Sequence, residues 1–283
     1  MKRISVILPV LAPTPFLCAM TEFAIKALRC HADGEFDLIV VEAAHNYFDP
    51  TKALFYQGTD YNGDPVEPAV MLSQEEIDPR MRIDKYLNFT PKIGGVREIN
   101  AGIRAAETEF VVFTGNDVIA PPHWDTELLR CFEERPKDCG IASLSASEPG
   151  AHIGPEMNIP MIVEGMYSPF SMFRKEWEYD ESYLRCYQDQ DQVMRIYEAG
   201  LRAYRSCRAH VHHLLRMTNN AVETEAHNVL LRKDEELFYQ RWGKSPLMMF
   251  AMIRCGRYAF GNEHDSFLRP VGTPNHPANR VQR

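Results

Sequence analysis

The residues best suited to chemistry lie in a short turn that follows an apolar run. Residues 109–114 are rich in β-branched and aromatic side chains, which predicts a strand buried on both faces. Pro121 and Pro122 forbid further ladder pairing, so we expect the strand to end at Gly115-Asn116-Asp117. Ligands bind at the carboxyl ends of strands in open α/β sheets, which places Asp117 well for a metal ion or polar ligand. An Asx-turn in which Asp117 only caps the loop is the alternative.

A pair of carboxylates, Asp189 and Asp191, lies at the start of a predicted helix that ends at Gly200. Residues two apart cannot share a helix face, so the two aspartates must have different roles, and at most one faces a ligand. The alternative role for Asp189 is capping of the helix, because a carboxylate there satisfies free backbone N–H groups.

Three histidines close the run of residues 203–213, which has the pattern of a late strand. Alternation in a strand places His210 and His212 on one side and turns His213 to the other. Three histidines within four residues, beside basic residues, favour contact with a ligand or phosphate over a purely structural role.

The elements before the Asp117 turn alternate between strand and helix patterns. We predict strands over 4–10, 36–41 and 85–89, and helices over 21–30 and 96–106. The first strand meets Pro9 at its end, and the second delivers Glu42. Gly102 permits close packing of the second helix against the sheet. Arg97, at the exposed start of that helix, is placed to reach a phosphate or to form a surface salt bridge.

Later residues continue the alternation. We predict a helix over 124–134 and strands over 139–144 and 165–173, with a loop over 145–160. Residues 222–260 have a helical pattern.

The order of these pieces resembles that of the family 2 glycosyltransferases over roughly residues 1–215. The quoted motifs are Ile4-Ser-Val-Ile-Leu-Pro-Val10, Leu38-Ile-Val-Val-Glu42, Asn100-Ala-Gly-Ile103, Gly115-Asn116-Asp117, Gln188-Asp-Gln-Asp191 and His210-Val-His-His213. The resemblance implies the GT-A fold, an α/β architecture with a mixed, mainly parallel sheet flanked by helices. It also implies transfer of a sugar from a nucleotide-diphosphate sugar.

The resemblance gives the quoted residues roles. Asp189 is expected to be the catalytic base, and Asp117 with His212 to hold Mn²⁺ or Mg²⁺. Gly115 departs from the family, which often has an acid at that position. One candidate base without an adjacent nucleophile favours an inverting displacement. The expected contacts to the nucleotide sugar are Pro9, Glu42, Arg97, Asn116, Asp117 and Asp191.

Composition and length bound the class of protein. The 283 residues are 45% hydrophobic, which suffices for a full core, and seven cysteines without a Cys-x-x-Cys pair argue against disulfides and structural zinc. We expect a cytoplasmic protein without a transmembrane segment. The predicted organisation is a GT-A domain over 1–215 with an insertion at about 46–84, a helical extension over 216–262 and a loose tail over 263–283.

Charge is distributed unevenly along the chain. The net charge is −8, yet residues 195–283 hold 14 Lys/Arg against 8 Asp/Glu. A glycan or lipid-linked saccharide is the expected acceptor, and DNA bearing hydroxymethylated pyrimidines is the alternative for a basic region. A binding module that has lost catalysis is a third possibility. A nucleotidyltransferase is disfavoured because no Gly-rich phosphate loop with a following Lys lies near the N-terminus.

Overall fold

The structure, a computed structural model, describes residues 3–12, 14–43, 48–49, 54–55, 81–89, 94–147, 162–165, 169–214 and 225–244. The helices in these ranges are α1 (Pro15–His31), α2 (Gly95–Ala105), α3 (Trp124–Glu134), α4 (Gln188–Glu198) and α5 (Glu225–Trp242). None of them combines the length and apolarity needed to cross a bilayer.

The described strands are β1 (Ile4–Val10), β2 (Asp37–Ala43), β3 (Phe48–Asp49), β4 (Leu54–Phe55), β5 (Lys85–Phe89), β6 (Phe110–Thr114), β7 (Val118–Ile119), β8 (Cys139–Ser147), β9 (Ile162–Glu164), β10 (Phe170–Arg174) and β11 (Arg202–His213). All except β3 and β4 join one sheet in the order β5-β2-β1-β6-β10-β8-β11-β7, with β9 paired to β11.

The sheet is mixed and mainly parallel. Strands β5, β2, β1 and β6 are parallel neighbours, whereas β10 runs antiparallel between β6 and β8. Strand β11 is parallel to β8, and the short strands β7 and β9 pair with it in the antiparallel sense. The ends of β1, β2, β5 and β6, at Val10, Ala43, Phe89 and Thr114, therefore lie along one side of the sheet, which we term the carboxyl edge.

Helices cover both faces of the sheet, as the alternation of side chains shows. Val6 and Leu8 of β1 pack in a core with residues of α1 and α3, whereas Ile7 packs in a second core with residues of α2, α4 and α5. Strand β6 alternates in the same way, with Val112 in the first core and Val111 in the second. The prediction of a central strand buried on both faces is confirmed.

Close packing of α2 on the sheet depends on Gly102. A Cβ atom there would lie 2.8 Å from Ile7 Cγ2 and 2.9 Å from Val41 Cγ2. Such distances are shorter than van der Waals contact, so a larger residue would push α2 away from β1 and β2. The predicted role of this glycine is confirmed.

Helix α1 begins six residues earlier than the predicted start at Thr21. Thr14 is the N-cap, its side chain accepts a hydrogen bond from Leu17 N at 3.2 Å, and Pro15 occupies the first turn. Proline is favourable there because the first N–H groups of a helix have no partner within the helix. Pro15 therefore starts the helix, and the predicted start at Thr21 is wrong.

Other boundaries also differ from the predictions. Strand β8 runs three residues beyond Leu144. The predicted strand over 165–173 corresponds only to β10, because β9 ends before it at Glu164 and residues 166–168 lie outside the described residues. The prolines at 121 and 122 do not prevent all further pairing, since β7 forms a two-residue ladder with β11 before them. Most of the predicted insertion, residues 148–160 of the predicted loop over 145–160, and residues 216–224 and 245–262 of the predicted helical extension lie outside the described residues, as does the whole predicted tail over 263–283.

Candidate functional site

The turn after β6 places the Asp117 side chain beside the end of β11. Val118 N donates a hydrogen bond to Gly115 O at 3.3 Å, and Asp117 is only 8% exposed. A Cβ atom on Gly115 would lie 2.7 Å from Asp117 Oδ1. The carboxylate therefore lies against Gly115, and an acid at that position, as in the resembled family, would require Asp117 to move.

The imidazole that approaches this carboxylate belongs to His213. Its Nε2 lies 3.7 Å from Asp117 Oδ1, whereas His212 is exposed and pairs with Ile119. The prediction that His213 turns away from Asp117 is wrong. The expectation that the two histidines alternate along β11 is correct. The unpredicted strand β7, however, aligns His213 with Val118, and Leu214 N donates a hydrogen bond to Asp117 O at 2.9 Å. That alignment leaves His212 on the solvent side.

Asn116 anchors the turn. Its side-chain Nδ2 donates to Leu11 O at 3.1 Å and to Thr21 Oγ1 at 2.9 Å, and the residue is 3% exposed. These bonds tie the turn after β6 to the loop after β1 and to helix α1. The amide predicted to contact the donor thus faces the protein interior and positions Asp117.

Glu42 is buried at the end of β2 and forms a chain of hydrogen bonds with β5. Its Oε2 accepts from the Tyr86 hydroxyl at 2.5 Å, and that hydroxyl accepts from Asn88 Nδ2 at 2.9 Å. Burial, with the negative charges of Glu22 and Glu42, raises the pKa of the Cys18 thiol to about 11. Glu42 therefore lies between β5 and the first turn of α1. Sequence reasoning missed Tyr86, although its position two residues before Asn88 places both on one side of β5.

Pro9 and Arg97 lie at or near the carboxyl edge and differ in their contacts with the rest of the protein. Pro9 pairs with Val41 in the β1–β2 ladder and is partly exposed. Arg97 is in the first turn of α2, and its 59% exposed side chain lies 3.8 Å from a Glu181 carboxylate oxygen. The surface salt bridge that we weighed against a phosphate contact is present.

Asp189 lies in the first turn of α4, near the carboxyl edge. Helix α4 ends at Glu198, shortly before β11 begins, and β11 runs parallel to β8, starting opposite Cys139. Because α4 ends at the amino end of the parallel strands, its start lies at their carboxyl end. Burial, followed by the negative charge of Asp189, raises the pKa of Tyr179 well above its ordinary value. The negative charge of Asp189 therefore acts on the Tyr179 side chain.

The Tyr179 backbone is fixed by Asn100 of α2. Asn100 Nδ2 donates to Tyr179 O at 2.8 Å, and Tyr179 N donates to Asn100 Oδ1 at 3.0 Å. The asparagine of the predicted helix motif is fully buried. It therefore holds the segment that leads into α4.

Asp191 has a different environment from Asp189. It is fully buried, and its Oδ1 accepts from Tyr183 Oη at 3.2 Å, Arg241 Nη1 at 2.8 Å and Trp242 Nε1 at 2.9 Å. Its Oδ2 accepts from Arg195 Nε at 2.9 Å. The predicted contact between Asp191 and a donor has no support in this geometry, because the carboxylate is enclosed by protein donors.

Within the described residues, the carboxylate and imidazole that lie together at this turn are those of Asp117 and His213. A carboxylate oxygen and an imidazole nitrogen suit Mn²⁺ or Mg²⁺ in part, and such ions usually complete their coordination with water and substrate phosphates. Within the described ranges no group of three or more His, Cys, Asp or Glu side chains is arranged to hold a metal ion.

No protein-family model matches the sequence, and no curated protein matches it. Solved structures of S. aureus TarS match the fold. The TarS 1-349 complex with UDP superposes with a TM-score of 0.53 and 15% identity, covering 94% of this chain and 74% of that one. The complex with UDP-GlcNAc gives a TM-score of 0.54 and 15% identity over 89% and 71% of the two chains. Against the longer TarS structure the TM-score is 0.54 at 15% identity, and the match covers 93% of this chain but only 44% of that one. The chain therefore has the mixed α/β GT-A fold, as predicted.

Proposed function

We propose that this protein is an inverting glycosyltransferase that moves a sugar from a nucleotide-diphosphate sugar to an acceptor hydroxyl. One observation carries the proposal: on a GT-A sheet, Asp117 with His213 and Asp189 all lie toward the carboxyl edge. This is the place where open α/β sheets bind their ligands. The similar TarS structures, crystallised with UDP and with UDP-GlcNAc, favour a uridine diphosphate donor.

In the proposed reaction Asp189 accepts the proton of the acceptor hydroxyl. The hydroxyl oxygen then forms a bond to the anomeric carbon while the bond from that carbon to the nucleotide diphosphate breaks, and the diphosphate takes the electron pair. A single displacement inverts the anomeric configuration. Asp117 and His213 would hold Mn²⁺ or Mg²⁺, which when bound offsets the charge of the leaving diphosphate.

Release of nucleotide tests this function. The protein is incubated with a panel of nucleotide sugars and Mn²⁺, with and without saccharide acceptors, and the anomeric configuration of any product is read by NMR. We expect nucleotide release from one donor and a product of inverted configuration. Absence of release from every donor would support the alternative of a non-catalytic binding module, and a retained configuration would remove Asp189 as the base of a single displacement.

For the acceptor we propose a glycan or lipid-linked saccharide over DNA. The DNA alternative depends on the basic C-terminal region, yet described arginines of that region lie beside carboxylates, including Arg195 and Arg241 beside Asp191. Arg208 is 3.3 Å from Glu134, and Arg202 is 3.9 Å from Glu164. Their charges are balanced locally, which weakens the case for a phosphate-binding face. Binding of plain duplex DNA at low salt, with a steep decrease as salt rises and sugar transfer to hydroxymethylated but not plain DNA, would reverse this preference.

A further inference from the structure

Asp234 of α5 holds the irregular segment that precedes α4. Its Oδ1 accepts from Leu184 N at 2.9 Å, and its Oδ2 accepts from Arg185 N and Cys186 N at 2.8 Å each. Asp234 is 1% exposed. Buried backbone N–H groups need partners, and one side chain supplies them for three consecutive residues.

Two residues in the last turn of α5 form hydrogen bonds to both ends of the region from 180 to 191. Arg241 Nη1 donates to Asp180 Oδ2 at 2.6 Å and to Asp191 Oδ1 at 2.8 Å. The Trp242 indole donates to the same Asp191 oxygen at 2.9 Å. A single helix far along the chain thus connects residues 180 and 191, between which Asp189 lies.

An aromatic contact completes the arrangement. Tyr187, the N-cap of α4, has a left-handed backbone with φ of 66°. A bulky residue persists in that conformation only when its surroundings hold it there. The ring of Phe238, which is fully buried, lies 6.4 Å from the Tyr187 ring between centroids. Tyr187 is two residues before Asp189, so its conformation sets the direction in which α4 begins.

We propose that Asp234, Phe238, Arg241 and Trp242, which we term the α5 clamp, position Asp189 for catalysis. None of the four needs to touch a substrate for this role. Their contacts fix residues on either side of Asp189, at 184–187 and at 191, while Asp189 itself is left partly exposed. The inference rests on the proposed function, since it assumes that Asp189 is the base. It predicts that weakening the clamp slows turnover without weakening donor binding.

The test uses the full-length protein with two conservative variants. Asp234→Asn keeps the shape of the side chain but replaces one acceptor oxygen with an NH2 group, so it cannot accept from all three N–H groups. Arg241→Lys keeps the charge but removes the guanidinium nitrogen Nη1 that donates to both Asp180 and Asp191. Arg232→Ala, at an exposed position of the same helix, is the matched control. Three quantities are measured for each: amide hydrogen exchange over 184–191, affinity for UDP with Mn²⁺, and the rate of nucleotide release.

For both clamp variants we expect faster exchange at 184–186 and a turnover lower by roughly 10-fold to 100-fold, with UDP affinity and donor KM nearly unchanged. The control should match wild type in all three measurements. Faster exchange with unchanged turnover would overturn the positioning role, as would an equal loss of UDP affinity and turnover. Unchanged amide exchange at 184–186 in both variants would show that the α5 clamp does not hold this segment. If one variant does not fold, the other decides.

A wild-type protein that releases no nucleotide from any donor would mean that the proposed function has failed, and with it the catalytic role of the clamp. Exchange over 184–191 would then still show whether α5 holds this segment. The two failures are therefore distinguishable, because exchange and turnover are separate measurements.

Discussion

Asp117 and Asp191 were both predicted to contact a donor, and their surroundings differ. Asp117 lies at a turn on the carboxyl edge, with an imidazole 3.7 Å from its carboxylate. Asp191 is fully buried and accepts hydrogen bonds from a phenol, an indole and two guanidinium groups. A carboxylate whose oxygens are enclosed by protein donors stabilises the fold, whereas one at a strand end beside a single histidine remains suited to a ligand.

The difference extends to the elements that hold each residue. The Asp117 turn is held by Asn116, which forms hydrogen bonds to the loop after β1 and to α1. Asp191 is held by hydrogen bonds from α5, which follows the GT-A sheet in sequence. The edge near Asp117 thus depends on elements 95 to 105 residues earlier in the chain, and the start of α4 depends on a helix 50 to 51 residues later. Variants in the two regions should separate loss of stability from loss of donor binding.

The largest expected effect on stability is in the α4–α5 region. Arg241→Ala leaves Asp191 buried with one guanidinium fewer, so we expect the free energy of unfolding to fall by about 2–4 kcal/mol, Arg195 remaining as a partner. Urea unfolding followed by circular dichroism measures it. Arg232→Ala should change the midpoint little, since that residue is exposed. Equal midpoints for the two variants would contradict the structural role of Asp191.

The next effect is on turnover. Asp189→Asn removes the proposed base, and we expect nucleotide release to an acceptor to fall on the order of 10²-fold or more while donor binding stays nearly intact. Steady-state kinetics with a matched UDP titration separate the two quantities. Turnover close to that of wild type would show that Asp189 caps α4 and has no part in the chemistry.

A comparison of the two neighbouring histidines sharpens the description of the carboxyl edge. His213→Ala removes the imidazole beside Asp117, so a higher Mn²⁺ concentration should be needed for half-maximal nucleotide release, by roughly 10-fold. His212→Ala is the control, because His212 is exposed and strand alternation turns it to the side of β11 opposite His213. The opposite order of effects would restore the original prediction that His212 is the metal ligand.

The smallest expected effect concerns Tyr86. Tyr86→Phe removes the hydrogen bond to the buried Glu42 carboxylate, which should lower the free energy of unfolding by about 1–3 kcal/mol. Tyr239→Phe, an exposed tyrosine on α5, is the control. Urea unfolding checks the difference. No change for Tyr86→Phe would mean that Glu42 does not need this donor.

Sequence patterns predicted most of the central sheet and the helices α2 and α3, because burial on both faces and helical periodicity leave local signatures. The start of α1 was predicted six residues too late, although Thr14 followed by Pro15 suits an N-cap and first helical position. The position of His213 beside Asp117 could not be predicted from the sequence, because β7 is two residues long and its pairing with β11 is a long-range contact. The enclosure of Asp191 depends on α5, about 50 residues later, and no local pattern reports it.

The central claim is that the carboxyl edge binds a nucleotide diphosphate through Asp117 with a divalent cation. Calorimetric titration of UDP into wild type and Asp117→Ala, each with Mn²⁺ and with a chelator, tests it most directly. We expect binding to wild type with Mn²⁺, markedly weaker binding with the chelator, and no Mn²⁺-dependent binding to Asp117→Ala. Equal affinity of wild type in both conditions would remove the metal, and equal affinity of the two proteins would remove Asp117 from the donor site.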